Sequence, residues 1–300
     1  MEPSGSNPKI PRLKKNLKIS VIELLNSNCA VCIPLSMGNM FRSVAGLLSI
    51  VLICLCISCG GETHEVASPT TTSATEDVAQ ALQLYSQRED LMRLREGIVS
   101  LRQAQTKDPG NYEAAWQLAK FNYYLATHTE DPAERDKAFR DGIDAGKAAV
   151  QLQNGQPDGH FWLGANYGGA AQHSTIQGLS TVADIRNEME TVLRLNEGYQ
   201  DGSAYMVLGL VYLNAPAIVG GDPKQAVELM EKGLRFGEPN AFLHLHLAEA
   251  YAKVGRNDDA RKQINTILSM KPDQNYLPEY KEASNAARKL LDQIEHSAGR

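Results

Sequence analysis

Residues 159–169 read GHFWLGANYGG, and the Leu-Gly-x-x-Tyr at their centre (Leu163, Gly164 and Tyr167) recurs along the chain. The downstream copies are YMVLGLVY at 205–212 and LHLHLAEAY at 243–251, and a weaker copy lies upstream in AAWQLAKFNYY at 114–124. Repetition of one motif at near-regular spacing indicates a repeat architecture in which each copy is one structural unit.

The motif has a direct physical meaning if each copy is helical. A Leu and a Tyr four residues later share one face of a helix, and the Gly or Ala after the Leu lets a second helix approach closely. Apolar residues elsewhere keep helical spacing, as in Val182, Ile185, Met189 and Val192, and no stretch alternates as a strand would. The sequence therefore predicts an all-α protein.

The last copy resembles a tetratricopeptide repeat (TPR). Its Leu247 is followed by Ala260, Ile264, Ile267 and Pro272 at the offsets that the TPR consensus gives to Ala, an aromatic or apolar residue, Ala and a closing Pro. We predict a TPR-like α-solenoid of about four to five helix pairs over residues 78–298. Residues 280–296 carry apolar residues on one face and are expected to form a C-terminal capping helix.

The earlier repeats are longer than the usual 34 residues of a TPR. The extra residues are expected to lie largely between the two helices of each pair, in THTEDPAERDK at 127–137, QHSTIQGLSTVADIRNE at 172–188 and NAPAIVGGDPKQ at 214–225. Insertions on one side of successive repeats would build an elaborated edge, which is often a binding edge.

The N-terminal part has the features of a lipoprotein leader. Residues 44–58 read VAGLLSIVLICLCIS without a charge, which is typical of a signal-peptide hydrophobic region and short for a membrane span. Cys59 follows a small Ser58 as in a lipobox, whose cysteine is acylated, although Cys56 stands where Leu is usual. We predict a signal peptide at 37–58 and lipidation at Cys59; an uncleaved N-terminal anchor is the alternative.

The segments on either side of the predicted signal peptide are not expected to fold. Residues 1–36 are too long for the basic region of a signal peptide, so translation is expected to start at Met37 or Met40. Residues 59–77, polar and turn-rich in SPTTTSATED, are expected to form a disordered tether. Gly60 rather than Asp after the lipidated cysteine favours an outer-membrane anchor with the domain facing the periplasm.

Charge and cysteine usage exclude several classes of function. The net charge is −5 although residues 1–58 are basic, so the helical domain is more acidic still, which argues against nucleic-acid binding. The cysteines all precede residue 60, so the domain can hold neither a disulfide nor a cysteine metal site. No nucleophile, metalloprotease or P-loop motif occurs, and His244 and His246 point apart on their helix. We expect no catalysis, metal or cofactor.

In TPR arrays fixed positions of the first helices line the concave face. Reading those offsets predicts a largely apolar groove with one lysine, formed by Trp116, Lys120, Tyr123, Phe161, Ala165, Met206, Leu210, Leu213, Phe242 and Leu245. A large apolar concavity is more often a binding surface than an accident. The alternative is that the inserted segments fold over this face and cover it.

Several segments together resemble the T component of tripartite ATP-independent periplasmic (TRAP) transporters. They are NYEAAWQLAKFNYYLA, GHFWLGANYGG, STVADIRNEMETVL, AYMVLGLVYLNAPAIVGGD and HLHLAEAYAKVGRNDDARKQINTIL, with Trp-Leu-Gly-x-Asn at 162–166 and Gly-Gly-Asp at 220–222 as specific marks. The resemblance implies a periplasmic TPR lipoprotein that forms trimers, has an apolar tunnel, and handles hydrophobic organic acids with a solute-binding subunit. A TPR scaffold for protein–protein interactions in envelope assembly is the alternative.

Overall fold

Helix starts in this chain coincide with side chains that satisfy the free N–H groups of a first turn. Asp90, Asn111, Asp131, Asp222 and Asn240 each precede a helix and accept a hydrogen bond from a backbone N–H two or three residues later. A proline follows Asp131 and Asp222 directly, where its missing N–H costs nothing. Asp222, for example, accepts hydrogen bonds from the backbone N–H groups of both Lys224 and Gln225.

The computed structural model describes residues 73–173 and 177–298, which are helical throughout apart from turns and short connections. The helices are α1 (Ala74–Tyr85), α2 (Leu91–Lys107), α3 (Tyr112–His128), α4 (Pro132–Leu152), α5 (Pro157–His173), α6 (Gln177–Leu195), α7 (Tyr199–Asn214), α8 (Pro223–Gly233), α9 (Ala241–Lys253), α10 (Asn257–Ser269) and α11 (Leu277–Ala298). Single 3₁₀ turns at Ala217–Val219 and Gln274–Tyr276 precede α8 and α11. The all-α prediction is confirmed for these residues.

The described helices pack as five pairs and a cap. Each odd-numbered helix from α1 to α9 packs against the next even-numbered helix, and α3, α5, α7 and α9 also touch their odd-numbered neighbours along the array. Helix α11 packs on α9 and α10. This is the predicted TPR-like solenoid with its capping helix, and α1, α3, α5, α7 and α9 are called the first helices below.

Small residues set the spacing within the pairs. A Cβ added at Gly164 would lie 2.4 Å from Met189 Cε of α6, and one at Gly209 would lie 2.7 Å from two side-chain carbons of Met230 in α8. The glycine of the repeated motif is therefore the point at which the second helix comes closest, as the motif predicts. The core divides into two apolar clusters, one over α1–α7 and one over α7–α11.

The extra length of the repeats lies mostly in the helices, which corrects one expectation. Helices α3 and α4 are 17 and 21 residues long, and the connection between them is only residues 129–131. Most of the segment 127–137 therefore extends two helices instead of forming an inserted loop. In 172–188, α5 ends at His173 and α6 begins at Gln177, so most of that segment is also helical. Segment 214–225 contains a longer connection, since α7 ends at Asn214 and α8 begins at Pro223.

The predicted tether is also too long at its C-terminal end. Helix α1 begins at Ala74 because Ser73 and Glu76 form a capping box, in which the Ser73 side chain accepts from the Glu76 N–H and the Glu76 carboxylate accepts from the Ser73 N–H. Residues 74–77 therefore belong to the helical domain. The leader, the lipidation site Cys59 and the rest of the tether lie outside the described residues.

Candidate ligand groove

Three of the predicted groove residues lie on one face of α3. Trp116, Lys120 and Tyr123 follow each other at helical spacing and are all half-buried. Trp116 and Tyr123 pack against the first apolar cluster. This face of α3 therefore presents a partly open aromatic surface that contains one cation.

Aromatic rings of four helices meet beside this face. The ring of Tyr123 lies 5.7 Å from Trp162 of α5 and 6.4 Å from Phe139 of α4. Phe161 lies 5.1 Å from Trp162 and 5.3 Å from Tyr199 at the start of α7. These separations are those of favourable tilted and edge-to-face pairs, so the rings support one another and hold Trp162 in place.

The remaining predicted groove residues differ in depth. Phe161, Ala165, Leu213 and Leu245 are buried, with 5%, 7%, 5% and 3% of their surface exposed, and they form part of the two cores. Met206, Leu210 and Phe242 are half-buried and pack against the second cluster. The surface that a ligand could reach therefore consists of the half-buried members, divided between α3 at one end and α7 and α9 at the other.

Lys120 is the cation of this surface, and aromatic faces surround it. Its Nζ lies 4.3 Å from the ring centroid of Tyr85 in α1 and 5.9 Å from that of Trp162. Burial lowers the pKa of Lys120 to about 8, and the nearby Arg88 guanidinium acts in the same direction. Sequence offsets predicted Lys120 but missed Trp162 and Tyr85, because Trp162 is adjacent to the motif Leu and α1 carries no copy of the motif.

The start of α11 approaches the same face, which no sequence feature indicated. Arg88, in the turn between α1 and α2, donates from Nε and Nη2 to the Glu279 carboxylate at 2.9 and 2.6 Å. Nearby, the Nε2 of His128 at the end of α3 lies 3.6 Å from the Glu282 carboxylate. Through these contacts α11 joins the two ends of the array, since it also packs on α9 and α10.

The Trp-Leu-Gly-x-Asn segment links three helices. The buried Asn166 amide donates to the backbone carbonyls of Trp162, at 2.7 Å, and of Ala119 in α3, at 3.0 Å. Gly142 of α4 leaves the room for it, since a Cβ there would lie 2.1 Å from Asn166 Oδ1. Asn166 therefore fixes the position of α5 against α3, and with it the two walls of the aromatic surface.

The Gly-Gly-Asp segment forms part of the exposed connection between the C-terminal end of α7 and the start of α8. Gly220 has a φ of 87°, which favours glycine, and a Cβ on Gly221 would lie 1.8 Å from the Ala215 carbonyl oxygen. Arg186 of α6 donates to the Gly220 carbonyl at 3.1 Å and its guanidinium lies 4.4 Å from the Tyr212 ring centroid. The turn holds Ile218 with 91% of its surface exposed.

Comparison with protein families identifies this arrangement. The family model of the TRAP transporter T-component matches residues 104–296, which is well over half of the chain. The chain belongs to the TRAP transporter T-component family. The match includes α3 through α11 nearly complete, so it contains the groove face of α3, the Asn166 link and the Gly-Gly-Asp turn.

The solved structures similar to this T component include a TPR protein. The crystal structure of TTC0263, a thermophilic TPR protein from Thermus thermophilus, has a TM-score of 0.54 at 20% identity and covers 70% of this chain and 98% of its own. PilF of Pseudomonas aeruginosa has a TM-score of 0.46 at 18% identity, covering 76% and 99%. A MamA structure has a TM-score of 0.42 at 19% identity, covering 64% and 90%. The first of these supports the TPR fold, and no curated protein sequence matches the chain.

Membership has direct consequences for the class of function. A T component is an accessory protein of a transporter and associates with other components of that transporter.

Within residues 73–173 and 177–298 no helix is long and apolar enough to cross a membrane, and no three His, Cys, Asp or Glu side chains are grouped as metal ligands would be. Two surface clefts beside α2 and α4, of about 190 and 450 Å³, contain none of the predicted groove residues.

Proposed function

We propose that this T component binds a hydrophobic ligand of the organic-acid type on the concave face of its first helices and presents it to a solute-binding protein. The observation that carries the proposal is the half-buried surface of Trp116, Lys120 and Tyr123 on α3. Two of its members are aromatic, it contains a cation, and neighbouring helices leave it partly open, which is the usual make-up of a small-molecule site.

The chain offers a natural probe of this surface. Its sequence contains two tryptophans, Trp116 and Trp162, and both lie at the α3–α5 wall of the groove. Titration of the protein with decanoate should therefore change the intrinsic fluorescence in a saturable way. A Trp116→Phe variant should keep a saturable signal from Trp162, whereas Trp116→Ala should weaken binding because it removes a large apolar contact.

A matched control separates the groove from non-specific apolar binding. Val99 lies on α2 with 51% of its surface exposed and is not part of the groove. Val99→Ala should leave the titration unchanged. A fluorescence change that does not saturate, or one that Val99→Ala reduces as much as Trp116→Ala does, would remove the support for a ligand site on this face.

The anchor and the location are part of the same proposal. The lipobox-like sequence ending at Cys59 supports lipid attachment and an outer-membrane protein facing the periplasm. Mass spectrometry of the protein from native membranes should find an N-terminal, diacylated or triacylated Cys59. An intact, unacylated N-terminal segment would instead support the uncleaved anchor.

The partner is the second part of the proposal. The family supports association within a TRAP system, and we propose the solute-binding subunit as the specific partner and a homotrimer as the assembly. Affinity purification of the lipidated protein from its own envelope tests the partner, and the mass of the purified assembly tests the homotrimer. Recovery of envelope-assembly proteins in place of a solute-binding protein would favour the alternative role as a TPR scaffold.

A further inference from the structure

Lys120 is the one lysine among the predicted groove residues, and its ammonium group has no carboxylate partner among the described residues. The neighbouring cation Arg88, by contrast, is paired with the Glu279 carboxylate at 2.6 Å. Among the described residues, Lys120 contacts only the faces of the Tyr85 and Trp162 rings. A partly desolvated ammonium that only aromatic rings support is costly unless an anion joins it.

The acidic groups around Lys120 are already engaged. Glu279 accepts two hydrogen bonds from Arg88. Its charge raises the pKa of Lys120, but less than burial and Arg88 lower it. Asp158 accepts from the Tyr199 hydroxyl at 2.8 Å and from the Tyr112 hydroxyl at 3.4 Å. Neither carboxylate is within salt-bridge distance of Lys120, so the protein itself does not supply the counter-ion.

A second unsatisfied donor lies in the same wall. The indole Nε1 of Trp162 is buried and has no hydrogen-bond acceptor within the described residues, although buried indole N–H groups normally find one. Trp162 is also one of the two residues whose rings lie close to the Lys120 ammonium, Tyr85 being the other. A cation and a free N–H donor thus occur together where the aromatic surface of α3 meets α1 and α5.

We infer that Lys120 is the head-group anchor of the ligand, binding the carboxylate of an amphipathic monocarboxylic acid whose apolar body lies against Trp116 and Tyr123. This inference rests on the proposed ligand groove and adds to it the polarity and the direction of the ligand. The head group is at the α1–α3–α5 junction, under the approach of α11, and Lys120 determines specificity for an anion over an alcohol or an amine.

Calorimetric titration of the protein with decanoate, decanol and decylamine tests the inference. Wild-type protein should bind decanoate more tightly than decanol, and decylamine most weakly. Lys120→Met should weaken decanoate binding about tenfold or more, because a charge-assisted contact is lost, and should leave decanol binding within about twofold. Lys120→Arg, which keeps the charge, should retain most of the preference for decanoate.

The dependence on pH gives a readout that a purely structural lysine would not move. Lys120 is charged below its pKa of about 8, so wild-type affinity for decanoate should fall as the pH rises above that value, with Tyr85, Arg88, Glu279 and Asp158 as the other ionisable neighbours. Arginine stays charged, so Lys120→Arg should abolish this fall. Decanol affinity should be independent of pH in all three proteins.

The possible outcomes separate the anchor from the groove. If decanol binds as tightly as decanoate and Lys120→Met changes neither affinity, the anchor is wrong while an apolar groove remains. If wild-type protein binds none of the three compounds, the proposed ligand groove is wrong and the anchor with it. Loss of decanoate and decanol together in Lys120→Met, with an unchanged melting temperature, would also contradict the specific role of the ammonium.

Discussion

Two histidines at equivalent repeat positions show how single side chains join the helices of a pair. His160 and His244 each stand three residues before the motif Leu. The Nδ1 of His160 lies 2.6 Å from Glu188 of α6, and its Nε2 lies 2.9 Å from the Asn154 carbonyl oxygen. His244 is placed in the same way, 2.6 Å from Gln263 of α10 and 3.0 Å from the Glu238 carbonyl oxygen. The partner of His160 is a carboxylate, whereas the partner of His244 is a neutral amide.

The pair of His160 and Glu188 should make the free energy of unfolding depend on pH. The hydrogen bond with Glu188 raises the pKa of His160 above its ordinary 6.5, against the opposing effect of burial. The stabilisation by the charged pair is therefore fully present below about pH 6.5 and is lost as the pH rises through the raised pKa. Glu188→Gln reproduces the His–Gln pair of the later repeat, and should cost about 1 kcal/mol at acidic pH and less at alkaline pH.

Chemical denaturation of wild type and Glu188→Gln across about pH 6 to 8.5 measures this difference. The two unfolding free energies should converge as the pH rises. A constant gap over that range would mean that His160 is not charged in the folded protein.

Side-chain depth is the part of the groove that the sequence could not predict. Helical offsets place Phe161 and Trp116 at equivalent positions of successive repeats, yet Phe161 is 5% exposed and Trp116 is half-buried. The difference arises because the ring of Tyr199, from the next repeat, packs on Phe161. Such a contact depends on the distance between the first helices of neighbouring repeats, here α5 and α7. The spacing of apolar residues within one helix cannot predict that distance.

At the scale of the helical element, the glycine pair of α5 tests the packing that the repeat motif predicts. A side chain on Gly164 would run into Met189 and the Cβ of Glu188, whereas the atom nearest to a Cβ on Gly168 is Ile185 Cδ1 at 4.0 Å. Gly164→Leu should destabilise by roughly 1–3 kcal/mol or more through overpacking. Gly168→Ala should be neutral or stabilise by up to about 1 kcal/mol through helix propensity.

Thermal unfolding of both variants provides the comparison, with each serving as the control for the other. Equal melting temperatures for Gly164→Leu and wild type would show that α5 and α6 are not as close as described. The motif alone was enough to predict this contact, because two helices can approach closely only where the facing residue is as small as Gly or Ala.

Helix lengths were less predictable than helix existence. The segment 127–137 looks like an insertion in the sequence because it holds a proline, several charged residues and two threonines. In the structure the proline occupies the first position of α4 and Asp131 caps it, so the same residues that suggest a loop mark a helix start.

At the scale of the whole molecule, the contact between the ends of the array is the feature that no repeat pattern could reveal. Arg88 is 4% exposed and Glu279 is 26% exposed, and the two are separated by most of the domain in sequence. Arg88 also donates to the Asn275 carbonyl at 2.6 Å. The ion pair therefore holds the start of α11 against the α1–α2 turn, beside the groove.

Removal of this pair should loosen both ends of the array. Arg88→Met leaves the Glu279 carboxylate without its partner and should destabilise by about 2–3 kcal/mol, since the pair is largely buried and doubly hydrogen-bonded. Lys281→Met is the matched control, because Lys281 pairs with Glu89 at the surface, where both side chains are more than half exposed.

Hydrogen exchange followed by mass spectrometry should show faster exchange in α1 and the start of α11 for Arg88→Met, and wild-type rates for Lys281→Met. Faster exchange spread evenly over all helices would mean that the pair contributes to global stability without joining the two ends.

Native mass spectrometry of the protein purified from its own membranes can detect a hydrophobic ligand on the partly open face of α3. We expect an apolar acid bound to the folded wild-type protein and its loss from a folded Trp116→Ala variant. A wild-type protein that is folded and carries no such ligand, or a ligand that Trp116→Ala retains in full, would contradict this expectation.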